Sequence, residues 1–211
     1  MNPVPPRVVA PLHADADPHL QEIGVSAAQV WHGKLLDVRR DTVRLPDGHE
    51  ATREYVVHPG AVMTVPILDD GRVVVVRQYR YPVGLAMFEF PAGKIDAGEP
   101  PFDCAVRELA EETGYRAMQW ARAGVLHNAV AYSTEAIEVW FARGLVAGAA
   151  QLDPGEFVDV QAMSVAELDA LAGSGELTDA KTLIGLLWLA RSLGHSGAAA
   201  AWPLDWHPAP G

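Results

Sequence analysis

Hydrophobic and polar positions alternate, or apolar residues run on without interruption, through most of the first half of the chain, and that pattern predicts strands. "VWHGKLLDVRRDTVRL" (residues 30–45) and "EATREYVV" (50–57) flank "PDGH", whose Pro, Asp and Gly favour a turn, so the two read as an antiparallel hairpin. "AVMTVPIL" (61–68) and "RVVVVRQYR" (72–80) flank "DDG" in the same way. Shorter strands are expected around 87–90, 137–142 and 157–163.

The period changes in three places. After Pro100-Pro101 the spacing predicts a helix over 101–113, since proline is tolerated in a helix's first turn. "SVAE" from Ser164 is a capping box, in which the serine hydroxyl and the glutamate satisfy each other's free backbone donors. A third helix runs from about 179 to 193, with "LIGLLWLA" as its buried part. Strands, helix, strands, helices is an α+β order rather than a βαβ alternation.

Residues 1–20 read as a flexible leader and 195–211 as a C-terminal tail, in which Trp202 and Trp206 are candidates to dock. Residues 21–60 form an N-terminal β region, and 61–194 the main domain. The 211-residue chain is 49% hydrophobic, enough for one sizeable core. It has no run of about 18 apolar residues that would span a bilayer, so no membrane partner is expected. No secretory signal is apparent at the N-terminus, and the single cysteine, Cys104, allows no internal disulfide. A cytoplasmic home follows as the expectation. The net charge of −11 argues against nucleic acid as a partner, but a bound cation can reverse the local sign for an anionic small molecule.

Charge is concentrated in "GKIDAGEPPFDCAVRELAEETGY", residues 93–115. On a helix, Phe102, Ala105, Val106 and Leu109 share a side that can pack on a sheet. Glu108, Glu111 and Glu112 fall within one turn on another side, expected to face solvent. Like charges at this spacing repel, and one arginine, Arg107, cannot neutralise the set. A hard divalent cation such as Mg²⁺ can, because it prefers carboxylate oxygen and keeps waters for substrate phosphates. Gly93 lets the backbone approach a ligand, Gly98 permits a turn before Glu99, and Gly114 suits a helix C-cap.

The spacing of Gly93, Glu99, Arg107, Glu108, Leu109, Glu111, Glu112 and Gly114 resembles the Nudix box at every position that motif fixes. "REYVVHPGAV" (53–62), "RQYRYPVG" followed by "FEFPAG", and "GELTDAKTLIGLLWL" resemble, more narrowly, the ADP-ribose (ADP-sugar) pyrophosphatase branch of the Nudix hydrolases. The resemblance covers roughly residues 25–193. It implies an α/β/α sandwich with a mixed central sheet, and Mg²⁺-dependent hydrolysis of the diphosphate of a nucleoside diphosphate sugar, with Mn²⁺ as a possible substitute.

Carried onto this sequence, the resemblance makes Glu108 and Glu112 the main metal carboxylates. The Ala92 carbonyl is a further ligand, and Glu111 a ligand or water-positioning group. Arg107 holds the glutamates by ion pairing, while Arg80 faces the substrate phosphates and Glu89 the site. "LDPGEFVDV" offers Glu156 and Asp153 as the base that takes the attacking water's proton, with Glu156 preferred. In this branch the N-terminal strands pack across a two-fold axis, which implies a homodimer. Trp31 would then stack on a base and Arg53 reach it or a phosphate, although Trp31 could instead fill its own subunit's core.

One segment departs from the branch. "HNAVAYSTE" keeps Ser133, Thr134 and Glu135 of the sugar-pocket loop but has Asn128 and Val130 where prolines are usual. The rest of the resemblance makes ADP-ribose the leading substrate, and this departure counts against it. Another nucleotide sugar (GDP-mannose, for example) or a nucleoside triphosphate is the alternative, and a non-catalytic nucleotide sensor a third. Cys104 and Trp188 read as core, and His58 and His127 as surface or supporting residues.

Overall fold

The computed structural model describes residues 17–152, 154–193 and 204–209. They divide into two compact units, one running through Val57 with Ala131–Ser133 added, the other taking His58–Val130 and the chain from Thr134 onward.

The first unit is a three-stranded antiparallel sheet in the order β1 (Ile23–His32), β2 (Asp37–Arg44), β3 (Glu50–Val57). The hairpin expected from 30–57 is thus too simple. The stretch 30–45 is broken, and the Gly33 N–H bonds the Leu36 carbonyl at 2.9 Å to close a turn. The Trp31 ring lies over Gly33, where a Cβ would fall 2.1 Å from its edge. The preceding "IGVSAAQV" is rich in small residues and carries little strand signal of its own; pairing with β2 makes it a strand. Cross-strand contacts tie β2 to β3: Arg40 to Glu54 at 2.8 Å, and the Tyr55 hydroxyl to Asp41 at 2.9 Å. All ten residues of β1 are exposed.

The second unit is built on an eight-stranded mixed sheet. Its strands are β4 (Ala61–Ile67), β5 (Val73–Arg80), β6 (Leu85–Glu89), β7 (Ala92–Lys94), β8 (Tyr115–Leu126), β9 (Ile137–Ala147), β10 (Val158–Met163) and β11 (His207–Pro208). The order is β10-β5-β4-β9-β8-β11, with β6 paired to β5 and β7 to β4; β4 and β9 run parallel. Helix α1 (Pro101–Thr113) follows β7, and α2 (Val165–Ser174) and α3 (Ala180–Ser192) follow β10.

Strand β4 shows why this is a sandwich. Successive side chains of a strand point to opposite faces, and β4 is buried on both. Met63 and Val65 join Phe90, Leu186 and Leu189 in one core. Val62 joins Cys104, Ala105 and Leu109 of α1 in the other. Helix α1 therefore covers one face, and α3 the opposite one. Each fully buried leucine, such as Leu109, contributes roughly 1.5–3 kcal/mol.

The helix ends are set locally. Pro101 opens α1, and Gly114 closes it at φ +75°, its N–H on the Ala110 carbonyl. Ser164 and Glu167 make both halves of the capping box on α2, and Asp179 caps α3. Strand β8 escapes the sequence pattern because "YRAMQWARA" is rich in good helix formers. Its long antiparallel pairing with β9 overrides that preference and buries Trp120. The C-terminal tail docks in part: β11 pairs with Trp120 and Gln119, and Arg143 stacks on Trp206 at 4.0 Å. Trp202 and the segment 1–16 lie outside the described residues.

Candidate active site

The loop between β7 and α1 and the first three turns of α1 bring the glutamates together around one guanidinium. Arg107 donates to Glu99 at 2.9 and 3.0 Å, to Glu108 at 2.7 Å and to Glu111 at 2.9 Å. Its positive form is strongly favoured, first through the hydrogen bond to Glu99. The same bond holds Glu99 down at about 2, helped by the Asp96 N–H.

Glu112 stands apart from that cluster, and the expectation that it faces solvent is corrected. It is only 6% exposed, and its Oε2 accepts the Ala92 N–H at 3.1 Å. Helix α1 packs against β4 and β7, and the carboxylate points to the β7 backbone. Burial, then the charge of Glu108, pushes its carboxyl up to about 8. Glu108 is also raised, mainly by burial, against the pull of Arg107. The Glu156 charge bears on both carboxylates in the same direction.

Gly93 makes room for this arrangement. A Cβ there would sit 1.9 Å from the Glu108 carboxyl carbon, so the carboxylate lies directly against the backbone of β7. Among the described residues, no three His, Cys, Asp or Glu side chains already converge as a metal-ligand set; Arg107 occupies the glutamates instead. The donors nevertheless suit a hard cation. They are all oxygen, and they include two neighbouring carboxylates, Glu112 buried and Glu108 half-buried, with Glu108 lying directly against a residue that lacks a side chain.

Beyond the helix, Arg80 at the end of β5 forks onto Glu89 of β6 at 2.6 and 2.7 Å. Glu89 is 2% exposed and also receives the Lys181 ammonium. Burial raises its carboxyl, but Arg80 and Lys181 outweigh this and the net shift is downward. Lys181, Asp179 and Thr182 lie in the "GELTDAKTLIGLLWL" segment, but nothing in its pattern marked them as the surroundings of Glu89. The available signal was a lysine in the first turn of a helix, where the dipole disfavours a cation.

The loop bearing Glu156 is exposed, but its base is fixed by the Gln151 N–H on the Glu111 carbonyl at 2.9 Å. Asp153 lies outside the described residues. His58 and Glu135 face each other at 3.7 Å, and Thr134 Oγ1 accepts the His58 N–H. His127 is exposed, and Trp188 packs against the α3-side core. Cys104 is fully buried, its thiol pushed up to about 12 by burial, as expected of a core residue rather than a nucleophile.

Trp31, Arg53 and Ser133 belong to the first unit. Trp31 is 54% exposed there and does not fill that unit's interior. Arg53 is engaged by Glu22, with Nε to Oε2 at 2.9 Å. Ser133 bridges in parallel to Val56.

Comparison with known proteins fits this geometry. The NUDIX domain family matches residues 57–184, the part that holds the glutamate helix and most of both cores. The chain belongs to the Nudix family. The nucleoside diphosphate sugar hydrolase N-terminal domain matches residues 25–56, the three-stranded unit. An ADP-ribose pyrophosphatase of Bacillus subtilis is 35% identical over 81% of this chain and 93% of its own length. A methanol dehydrogenase activator of Bacillus methanolicus is 35% identical over 80% and 92%, and a mouse ADP-sugar pyrophosphatase 32% identical over 72% and 80%. A crystal structure of an ADP compounds hydrolase shares the fold, with TM-score 0.73, 24% identity and coverage of 83% of this chain and 98% of that one. As a Nudix protein with these relatives, the chain is a hydrolase of pyrophosphate bonds.

Proposed function

We propose that this Nudix hydrolase is a Mg²⁺-dependent ADP-ribose pyrophosphatase that releases AMP and ribose 5-phosphate. The observation that carries the reading is the carboxylate pair of α1, Glu112 buried on the Ala92 N–H and Glu108 half-buried against Gly93, on a chain whose first unit matches the nucleoside diphosphate sugar hydrolase N-terminal domain. The similarity to ADP-ribose and ADP-sugar pyrophosphatases over most of the chain supports ADP-ribose as the substrate.

Glu108, Glu112, the Ala92 carbonyl and Glu111 hold the metal, with Mn²⁺ as a working substitute. When bound, the metal neutralises diphosphate oxygens and lowers the pKa of a water. Arg107 keeps Glu108 and Glu111 in place through the bonds it already makes. Glu156 accepts the proton of the attacking water, and the influence of its charge on Glu108 and Glu112 supports its nearness to them. Arg80 binds substrate phosphate, Glu89 orients Arg80, and Ser133 and Glu135 shape the sugar pocket.

The active form is a homodimer in which Trp31 stacks on the base and Arg53 reaches it or a phosphate. The exposed apolar residues of the first unit, Ile23, Val25, Val30, Trp31 and Leu35 among them, support a covered surface in the assembly. The single, buried cysteine fits a cytoplasmic setting, and the net charge of −11 fits a small anionic substrate held through a metal rather than nucleic acid.

The test is a panel of ADP-ribose, GDP-mannose, NADH and nucleoside triphosphates with Mg²⁺, with products resolved chromatographically. ADP-ribose should give the highest kcat/KM. A triphosphate winning the comparison overturns the substrate assignment and leaves the family intact.

A further inference from the structure

Glu89 is a buried carboxylate with two cations, and only one of them is free to leave. Arg80 reaches it from a half-exposed position at the end of β5, whereas Lys181 is largely covered. Lys181 is held in place from its own helix. Asp179 Oδ1 accepts its ammonium at 3.0 Å, while Asp179 Oδ2 caps the helix through the Thr182 N–H at 3.0 Å and accepts the Thr182 hydroxyl at 2.6 Å. That hydroxyl in turn accepts the Phe90 N–H at 3.0 Å, next to Glu89 in the chain. The N-terminus of α3 and the end of β6 are thereby locked together.

Lysine at this position runs against the helix dipole, which disfavours a cation in the first turn. Fold stability alone does not call for two cations on one carboxylate, since the bidentate Arg80 fork already neutralises Glu89. The second cation has a use once Arg80 turns away. A buried carboxylate stripped of its only partner is costly, so without Lys181 the arginine would be retained on Glu89.

We propose that Lys181 is a positioning residue that keeps Glu89 compensated while Arg80 leaves it for the substrate diphosphate. The proposal rests on the reading that Arg80 contacts that diphosphate. It makes Arg80 a switching side chain, paired with Glu89 in the empty enzyme and with phosphate in the complex. Lys181 itself does not touch substrate, so its effect on binding passes entirely through Arg80.

A double-mutant cycle decides this. Binding of the α,β-methylene analogue of ADP-ribose with Mg²⁺ is measured by calorimetry for wild type, Lys181→Met, Arg80→Ala and the double variant. Lys181→Met should weaken binding about tenfold or more in the wild-type background, as expected where a buried charge loses compensation. In the Arg80→Ala background it should change binding less than about twofold. KM for ADP-ribose should rise with the Kd while kcat stays within about threefold of wild type, and Lys181→Arg should restore binding. Equal losses in both backgrounds, or none, overturn the proposal. Thermal melting checks folding, and Lys181→Gln replaces the methionine variant in the cycle if that one unfolds. Wild type failing to bind the analogue refutes the ADP-ribose reading instead, and the same cycle with the substrate found in the panel then decides the role of Lys181.

Discussion

The Glu108 carboxylate occupies the space that any side chain on Gly93 would need: an ideal Cβ there falls 1.9 Å from its carboxyl carbon and 1.9 Å from Oε1. The Glu108 carboxylate can therefore lie against β7 in this position only because residue 93 has no side chain. Gly93→Ala should displace Glu108 and lower kcat/KM by about 100-fold or more, the scale on which a displacement of about 1 Å acts. Circular dichroism should stay native, since β7 is short and its pairing with β4 uses backbone groups. An alanine variant with wild-type turnover would show that Glu108 has no need of that position.

The acid-side stability of the protein should depend on Glu99. Its carboxyl is held at about 2 in the fold against 4.5 as the reference. A lowered folded value contributes stability that is present above the unfolded pKa and is lost as pH falls from about 4.5 through 2. Urea unfolding should therefore show Glu99→Gln less stable than wild type at about pH 7, with the gap narrowing at about pH 3.5. A gap independent of pH would mean that the Arg107 pairing adds nothing through charge.

Assembly should be visible in solution. The β1 strand is exposed throughout, and Trp31 is 54% exposed. Light scattering at assay concentration should give a dimer, and Trp31→Ala should raise KM for ADP-ribose by about tenfold, the scale of one lost stacking contact. A fully active monomer would restrict this sheet to a role in its own fold.

How much of this was legible in the sequence varies with the kind of signal. The helix 101–113, the capping box at Ser164 and the strands β4 and β5 were readable because proline, serine and uninterrupted valines act locally. Strand β1 and strand β8 were not, since their small and helix-favouring residues become strands only through partners far along the chain. The glutamate spacing marked Glu108, Glu111 and Glu112 as a set. It could not show that Glu112 is buried, because its partner, the Ala92 N–H, lies 20 residues away on β7. Lys181 and Asp179 stayed hidden for a related reason. Lys181 meets Glu89 across 92 residues of sequence, and Asp179 reaches it only through Lys181.

In the proposed mechanism the carboxylate pair of α1, Glu108 and Glu112, drives ADP-ribose hydrolysis through a divalent cation. Turnover of ADP-ribose is to be followed against Mg²⁺ concentration for wild type and Glu112→Gln, with AMP and ribose 5-phosphate resolved. The substitution is nearly isosteric and removes a charge that burial and Glu108 already disfavour, so the variant should fold at least as well as wild type. No turnover is expected without the metal, and kcat should fall by about 1,000-fold in the variant even at saturating Mg²⁺, the order expected when charge stabilisation of the transition state is lost. Near-normal turnover by Glu112→Gln, or wild-type activity undiminished by a chelator, would contradict this mechanism.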